Sequence, residues 1–150
     1  MEHNRTLYLW LLSCLSAILL SLPYLVPHTG LLMLIAFIPL LQLEKIVTDL
    51  NIKKGWRYYY SSFLLWNILT TFWIYKATLA GAIAACILNA LQMSVIFAIF
   101  RWFKRKTTPS LGYLFLILAW LAWEHFYFEA EISWPWLVLG NGFATTIKNI

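Results

Sequence analysis

Apolar positions in this chain gather into five runs, at residues 7–26, 31–43, 58–75, 79–100 and 111–128, separated by short polar breaks. The pattern predicts bilayer-crossing helices joined by short loops. The first run, at ~1.5 Å per residue, is near the lower limit for crossing a ~30 Å hydrocarbon core. Pro23, Pro27 and Gly30 then break the backbone and place His28 in a turn. The second run is shorter and contains Pro39, which frees the carbonyl four residues back and bends the axis. These two runs read as a helical hairpin.

Residues 44–57 are the first polar segment, with Glu44, Lys45, Asp49, Lys53, Lys54, Gly55 and Arg57. The spacing of Ile46, Val47, Leu50 and Ile52 allows a short amphipathic helix on the membrane surface. Its charges read most simply as a solvated loop. The third run carries Asn67, Thr70 and Thr71 among aromatics. In the fourth, Gly81 with Ala85 and Ala80 with Ala84 form a small-residue stripe that lets a neighbouring helix approach closely. Asn89 and Gln92 fall near mid-bilayer, where side-chain amides hydrogen-bond across helices. Arg101–Lys106 is a basic stop before the fifth run.

Composition makes the membrane reading firm. Hydrophobic residues are 62% of the chain and charged residues 11%, against roughly 25% charged in soluble domains. The expected fold is therefore an all-α polytopic membrane helix bundle, a single embedded domain over residues 1–150 with about five transmembrane helices. The net charge of +5 does not point to nucleic acid, because the cations cluster between the apolar runs. Under five-helix alternation, nine of the eleven fall on one side: Arg5, Lys45, Lys53, Lys54, Arg57, Arg101, Lys104, Arg105 and Lys106. Only Lys76 and Lys148 remain for the other side, so the N-terminus is expected in the cytoplasm. Membrane lipid is the implied surrounding partner. No clear small-residue cleavage site follows the first run, which reads as a retained helix. Cys14 and Cys86 lie inside apolar runs and read as buried small hydrophobes.

With that orientation, residues 129–150 form an outer-leaflet segment. Glu124 lies roughly 20 Å into a ~30 Å core if the fifth helix starts at Leu111. An ionisable group at that depth costs about 2.5–3.5 kcal/mol on insertion scales, so it faces protein or water. Two readings stay open: a polar group lining an outward cavity, and a snorkelling or protonated glutamate near the interface. Glu131 would share its face, while Glu129 would point elsewhere. Glu124 and His125 are adjacent and lie on different faces, and no His-x-x-x-His or similar spacing exists, so neither metal nor cofactor is expected. Trp134, Pro135 and Trp136 suit headgroup-level anchoring and a helix stop. Gly140, Asn141 and Gly142 follow at once; such exposed backbone is tolerated where it lines a cavity or packs on protein.

The order of these pieces resembles the N-terminal membrane region of bacterial apolipoprotein N-acyltransferase, especially Bacteroidetes-like versions. The residues that carry the likeness are Leu22-Pro23, Phe37-Ile38-Pro39-Leu40-Leu41, Phe72-Trp73-Ile74-Tyr75 and Trp123-Glu124. The most specific are Ser133-Trp134-Pro135-Trp136-Leu137, followed by Leu139-Gly140-Asn141. The resemblance implies a multi-pass protein of the bacterial inner membrane. Its partners would be a phospholipid acyl donor and a diacylated apolipoprotein, whose N-terminal cysteine receives the acyl chain. It also implies eight membrane helices and an extracytoplasmic nitrilase-like domain with a Glu-Lys-Cys triad. Neither Cys14 nor Cys86 matches the family nucleophile, so no catalytic residue is expected in this chain. The expectation is a sequence truncated before the nitrilase-like domain of the same gene product and inactive alone. Substrate-binding candidates are Glu124, Trp134, Pro135, Trp136 and Asn141, in the membrane wall beneath that domain. The alternative is a small five-helix transporter or scaffold subunit without enzymatic activity.

Overall fold

The computed structural model describes residues 2–129 and 137–144, with side chains from His3 onward. Helix α1 spans Glu2–Leu25. A 3₁₀ turn at Gly30–Leu32 leads into α2 (Met33–Ala36) and α3 (Ile38–Asp49). Helix α4 covers Trp56–Thr71 and runs on as a 3₁₀ turn, Phe72–Lys76. Helices α5 (Leu79–Lys106) and α6 (Pro109–Glu129) follow, and a 3₁₀ turn at Leu139–Phe143 crosses near the end of α6. The described residues contain no β-strand. The protein is an all-α, multi-pass membrane bundle, with five main helical segments among the described residues.

Four passes are long and apolar enough to cross a bilayer by themselves: His3–Leu25, Gly30–Asp49, Leu79–Lys106 and Pro109–Glu129. The remaining segment, α4, is the central one. It packs against α1 on one side and α5 on the other, while α3 packs on α1 and α6 on α5. Phe63, Trp66 and Asn67 of α4 are each fully buried. A helix wrapped in protein rather than lipid tolerates polar groups, most of which bond within α4, while Trp66 Nε1 and Asn67 Oδ1 have no hydrogen-bond partner among the described residues. Thr70 donates to the Trp66 carbonyl (2.7 Å), Thr71 to the Asn67 carbonyl (2.6 Å), and Asn67 Nδ2 to Phe63 (2.8 Å).

Serine hydroxyls stitch the N-terminal hairpin to this centre. Ser13 Oγ donates to the Tyr58 carbonyl (2.8 Å), and Ser62 Oγ donates back to the Ser13 carbonyl (3.0 Å). The second pass breaks at Phe37, two residues before Pro39, and Ser16 Oγ donates to the Ala36 carbonyl beside the break (2.7 Å). Small side chains thus let the backbones approach, and their hydroxyls bond across the contact.

Three expectations need correction. The second pass does not end at Leu43: α3 continues through Glu44 to Asp49, and Glu44 is fully buried rather than part of a solvated loop. Helix α5 does not stop at the basic cluster; its 28 residues carry it through Lys106. At ~42 Å it outruns a ~30 Å core, so its cationic last turns reach the headgroup zone without ending the helix. The packed small residues of α5 are Ala82, Cys86 and Ala90, whereas Ala80 and Ala84 are exposed. The contact face is thus offset by one residue from the stripe read in the sequence, leaving Gly81 and Ala85 half-buried at its edge.

Candidate functional site at the Glu124 end

Helix α6 is thinly covered. Leu114, Ile117, Leu118 and Leu121 are exposed, as suits a lipid-facing side, while Leu116 and Trp120 turn inward. Trp120 meets Phe37 edge-on (5.0 Å between ring centres) and lies 5.7 Å from Phe63. One turn later on the same face stands Glu124, and Trp120 Nε1 donates to its Oε1 (3.0 Å). The same oxygen accepts the backbone N–H of Leu139 at 2.8 Å. Among the described residues, no Lys, Arg or His forms an ion pair with Glu124. The carboxylate fastens residues 137–144 to α6 with neutral donors alone.

The turn is also tied to α1. Tyr24 donates its hydroxyl hydrogen to the Val138 carbonyl (2.8 Å). Gly142 is buried, and a Cβ built on it would stand 2.5 Å from Met33 Cε and 3.2 Å from Pro23 Cβ. Glycine is needed there for close approach, since its φ is not positive. Gly140, by contrast, has open space around it. Of the two glycines, one packs on protein and the other faces out.

Two cavities meet at this place. The smaller is a cleft of about 20 Å³ between α5 and α6, bounded by Asn89, Gln92, Glu124, Tyr127 and Val138. That is room for about one water molecule. Tyr127 donates to Asn89 Oδ1 across it (2.8 Å), so Asn89 does bond between helices. The larger is a groove of about 380 Å³ between the second pass and α6, walled by Leu34, Phe37, Leu41, Leu116, Ile117 and Leu139. Its lining is hydrocarbon apart from Tyr113 and the indole of Trp120, which borders both cavities. The arrangement can hold an apolar chain beside an ordered polar clamp.

Of the site residues expected from sequence, the structure brings Glu124 into this junction. Asn141 sits exposed on the 139–143 turn, its backbone N–H donating to Val138 (2.9 Å). Trp134, Pro135 and Trp136 lie outside the described residues, as does Glu131. Glu129 stands apart on the exposed surface, 4.0 Å from His125 Nε2. Neither cysteine joins the site: Cys14 is exposed on α1 rather than buried as expected, and Cys86 is buried with its Sγ 3.4 Å from Thr71 Oγ1. Sequence reasoning did not place Tyr24, Trp120 or Leu139 in the site: Tyr24 reaches it from a distant helix and Leu139 through a backbone N–H, whereas the four-residue spacing of Trp120 and Glu124 was a signal that could have found the indole.

The model of the apolipoprotein N-acyltransferase N-terminal domain family matches residues 16–150. The chain belongs to this family. An apolipoprotein N-acyltransferase of Chlorobaculum tepidum is 28% identical over 95 residues, which cover 63% of this chain and 17% of that protein. The chain thus spans well under two thirds of that relative. No solved structure matches it. Within the N-acyltransferase N-terminal domain, the Glu124 clamp and its groove are formed wholly by the matched residues.

Proposed function

We propose that this chain is the membrane-embedded part of an inner-membrane enzyme that moves an acyl chain from a phospholipid to the α-amino group of a lipoprotein's N-terminal cysteine. Family membership supports the class of reaction. One geometric observation supports lipid handling here: the Trp120 indole walls the apolar groove and donates to Glu124 at the same time. Acyl-chain space and the ordered turn are therefore coupled through one side chain. Glu124, Trp134, Pro135, Trp136 and Asn141 form the wall along which the acyl donor reaches the reacting groups.

The chemistry is two acyl transfers. A cysteine thiolate attacks the phospholipid ester carbonyl, forms a thioester and expels the lysophospholipid. The α-amine then attacks that thioester, forms the amide and releases the thiol. The Glu-Lys-Cys groups for these steps belong to the nitrilase-like domain that the resemblance implies. This chain supplies positioning: an apolar slot for the chain and a fixed turn above it. Family membership favours this reading over a transporter or scaffold subunit.

In the full-length protein, Glu124→Ala and Trp136→Ala are expected to lower acyl transfer to a diacyl lipopeptide by roughly tenfold to a hundredfold, the scale of misplaced substrate. Membrane insertion should be unchanged. Wild-type turnover in both variants rules out the lipid-handling role.

A further inference from the structure

A second groove, of about 410 Å³, lies between α4 and α5 at the opposite, basic end of the bundle. Trp56, Tyr59 and Tyr60, in the first turns of α4, form one wall, and Ile87, Leu91, Ser94, Ala98 and Arg101 of α5 form the other. The α5 positions recur at intervals of three and four, so they make one stripe along the helix. Ser94 gives its hydroxyl hydrogen to the Ala90 carbonyl (2.6 Å), which leaves the stripe effectively apolar as far as Arg101. From Ile87 to Arg101 the stripe runs ~21 Å, enough to follow an acyl chain through one ~15 Å leaflet of the core.

The mouth of this groove carries surplus positive charge. Among the described residues Glu44 is the only acid in its cluster, and Lys104 Nζ bonds its Oε2 at 2.5 Å. Arg101 Nε stands 3.8 Å from Oε1, and this buried nitrogen has no hydrogen-bond partner among the described residues. The guanidinium instead lies 4.7 Å above the Tyr59 ring. Tyr59 is 3% exposed, and its buried hydroxyl likewise has no partner among the described residues. One carboxylate against two cations leaves the cluster net positive, and the exposed Arg105 follows one turn along the same stripe. Arg101 and the exposed Arg105 thus give a groove with an otherwise apolar lining a cationic mouth. An occupant that complements both is anionic at one end and hydrocarbon along the rest. Trp56 and Trp102, 60% and 62% exposed, flank this end as headgroup-level aromatics do.

We propose that the α4–α5 groove binds an anionic phospholipid from the leaflet at the basic end. One acyl chain lies along Ile87, Leu91 and Ala98, and the phosphate is held by Arg101. This site is separate from the Glu124 groove and does not depend on the acyl-transfer reading.

The test is native mass spectrometry of the purified full-length protein with phosphatidylglycerol or phosphatidylethanolamine of matched chains. Phosphatidylglycerol should bind roughly fivefold more tightly, the gain expected from one basic side chain at a headgroup. Arg101→Gln should bring phosphatidylglycerol down to the phosphatidylethanolamine level. Ala98→Phe, which fills the groove and leaves the charges intact, should weaken both lipids together. Equal binding of the two lipids overturns the proposal, as does wild-type binding in both variants. Competition by glycerol 3-phosphate as strong as by the whole lipid also overturns it, because the apolar groove would then contribute nothing.

Discussion

Glu44 and Glu124 stand at opposite ends of the same bundle and are held by different chemistry. Glu44, on α3, is fully buried between the cations Lys104 and Arg101 of α5, with Thr48 Oγ1 as a further donor (2.8 Å). Glu124 is half-buried on α6 and accepts only from an indole and a backbone amide. The first carboxylate joins helices by charge. Gly112 assists by letting α6 pass against Lys104, whose ammonium lies 4.9 Å from the Tyr113 ring. The second uses its lone pairs to hold a short irregular segment, which a membrane protein tolerates where it packs on protein. One acid therefore locks the bundle, while the other orders the surface beside a lipid-sized groove.

Removing the charge lock breaks the comparison most directly. Glu44→Ala leaves two cations without their carboxylate and is expected to destabilise the fold by about 3–5 kcal/mol. Unfolding in detergent measures this, and a loss below about 1 kcal/mol would mean that the pair behaves like a surface ion pair. The Glu124 end should respond less. Glu124→Ala strands the Leu139 and Trp120 N–H groups at about 1–3 kcal/mol, whereas Glu124→Gln keeps an acceptor and should stay within about 1 kcal/mol of wild type. Protease sensitivity near residues 137–144 reads the local effect; equal damage from both variants would show that charge matters there too. The smallest effect sharpens the contrast from the other side. Thr48→Val removes only the neutral donor to Glu44 and should cost about 0.5–1.5 kcal/mol in the same unfolding assay.

The passes were legible because an apolar run at lipid depth has few alternatives to helix. Glu44 was misread because its partner lies sixty residues away, and no local period encodes a contact between α3 and α5. The length of α5 was underestimated because Lys and Arg look like a stop, although their long stems allow a helix to continue into the headgroups. At the candidate site, Glu124 stood out as an acid in an apolar run. Leu139 could not, because what it contributes is a backbone N–H that every residue but proline carries. The two glycines after Trp136 look alike in sequence, and only the nearness of Pro23 and Met33 to Gly142 separates them.

The bond from Tyr24 to the Val138 carbonyl joins residues 114 positions apart, between α1 and the turn that follows α6. During synthesis Tyr24 enters the bilayer early and must wait until α2 to α6 have been threaded before its partner exists. A cysteine pair at these two positions, bridged by a bifunctional thiol reagent, would therefore act as a clock for biogenesis, crosslinking only in chains whose helices α1 to α6 have inserted.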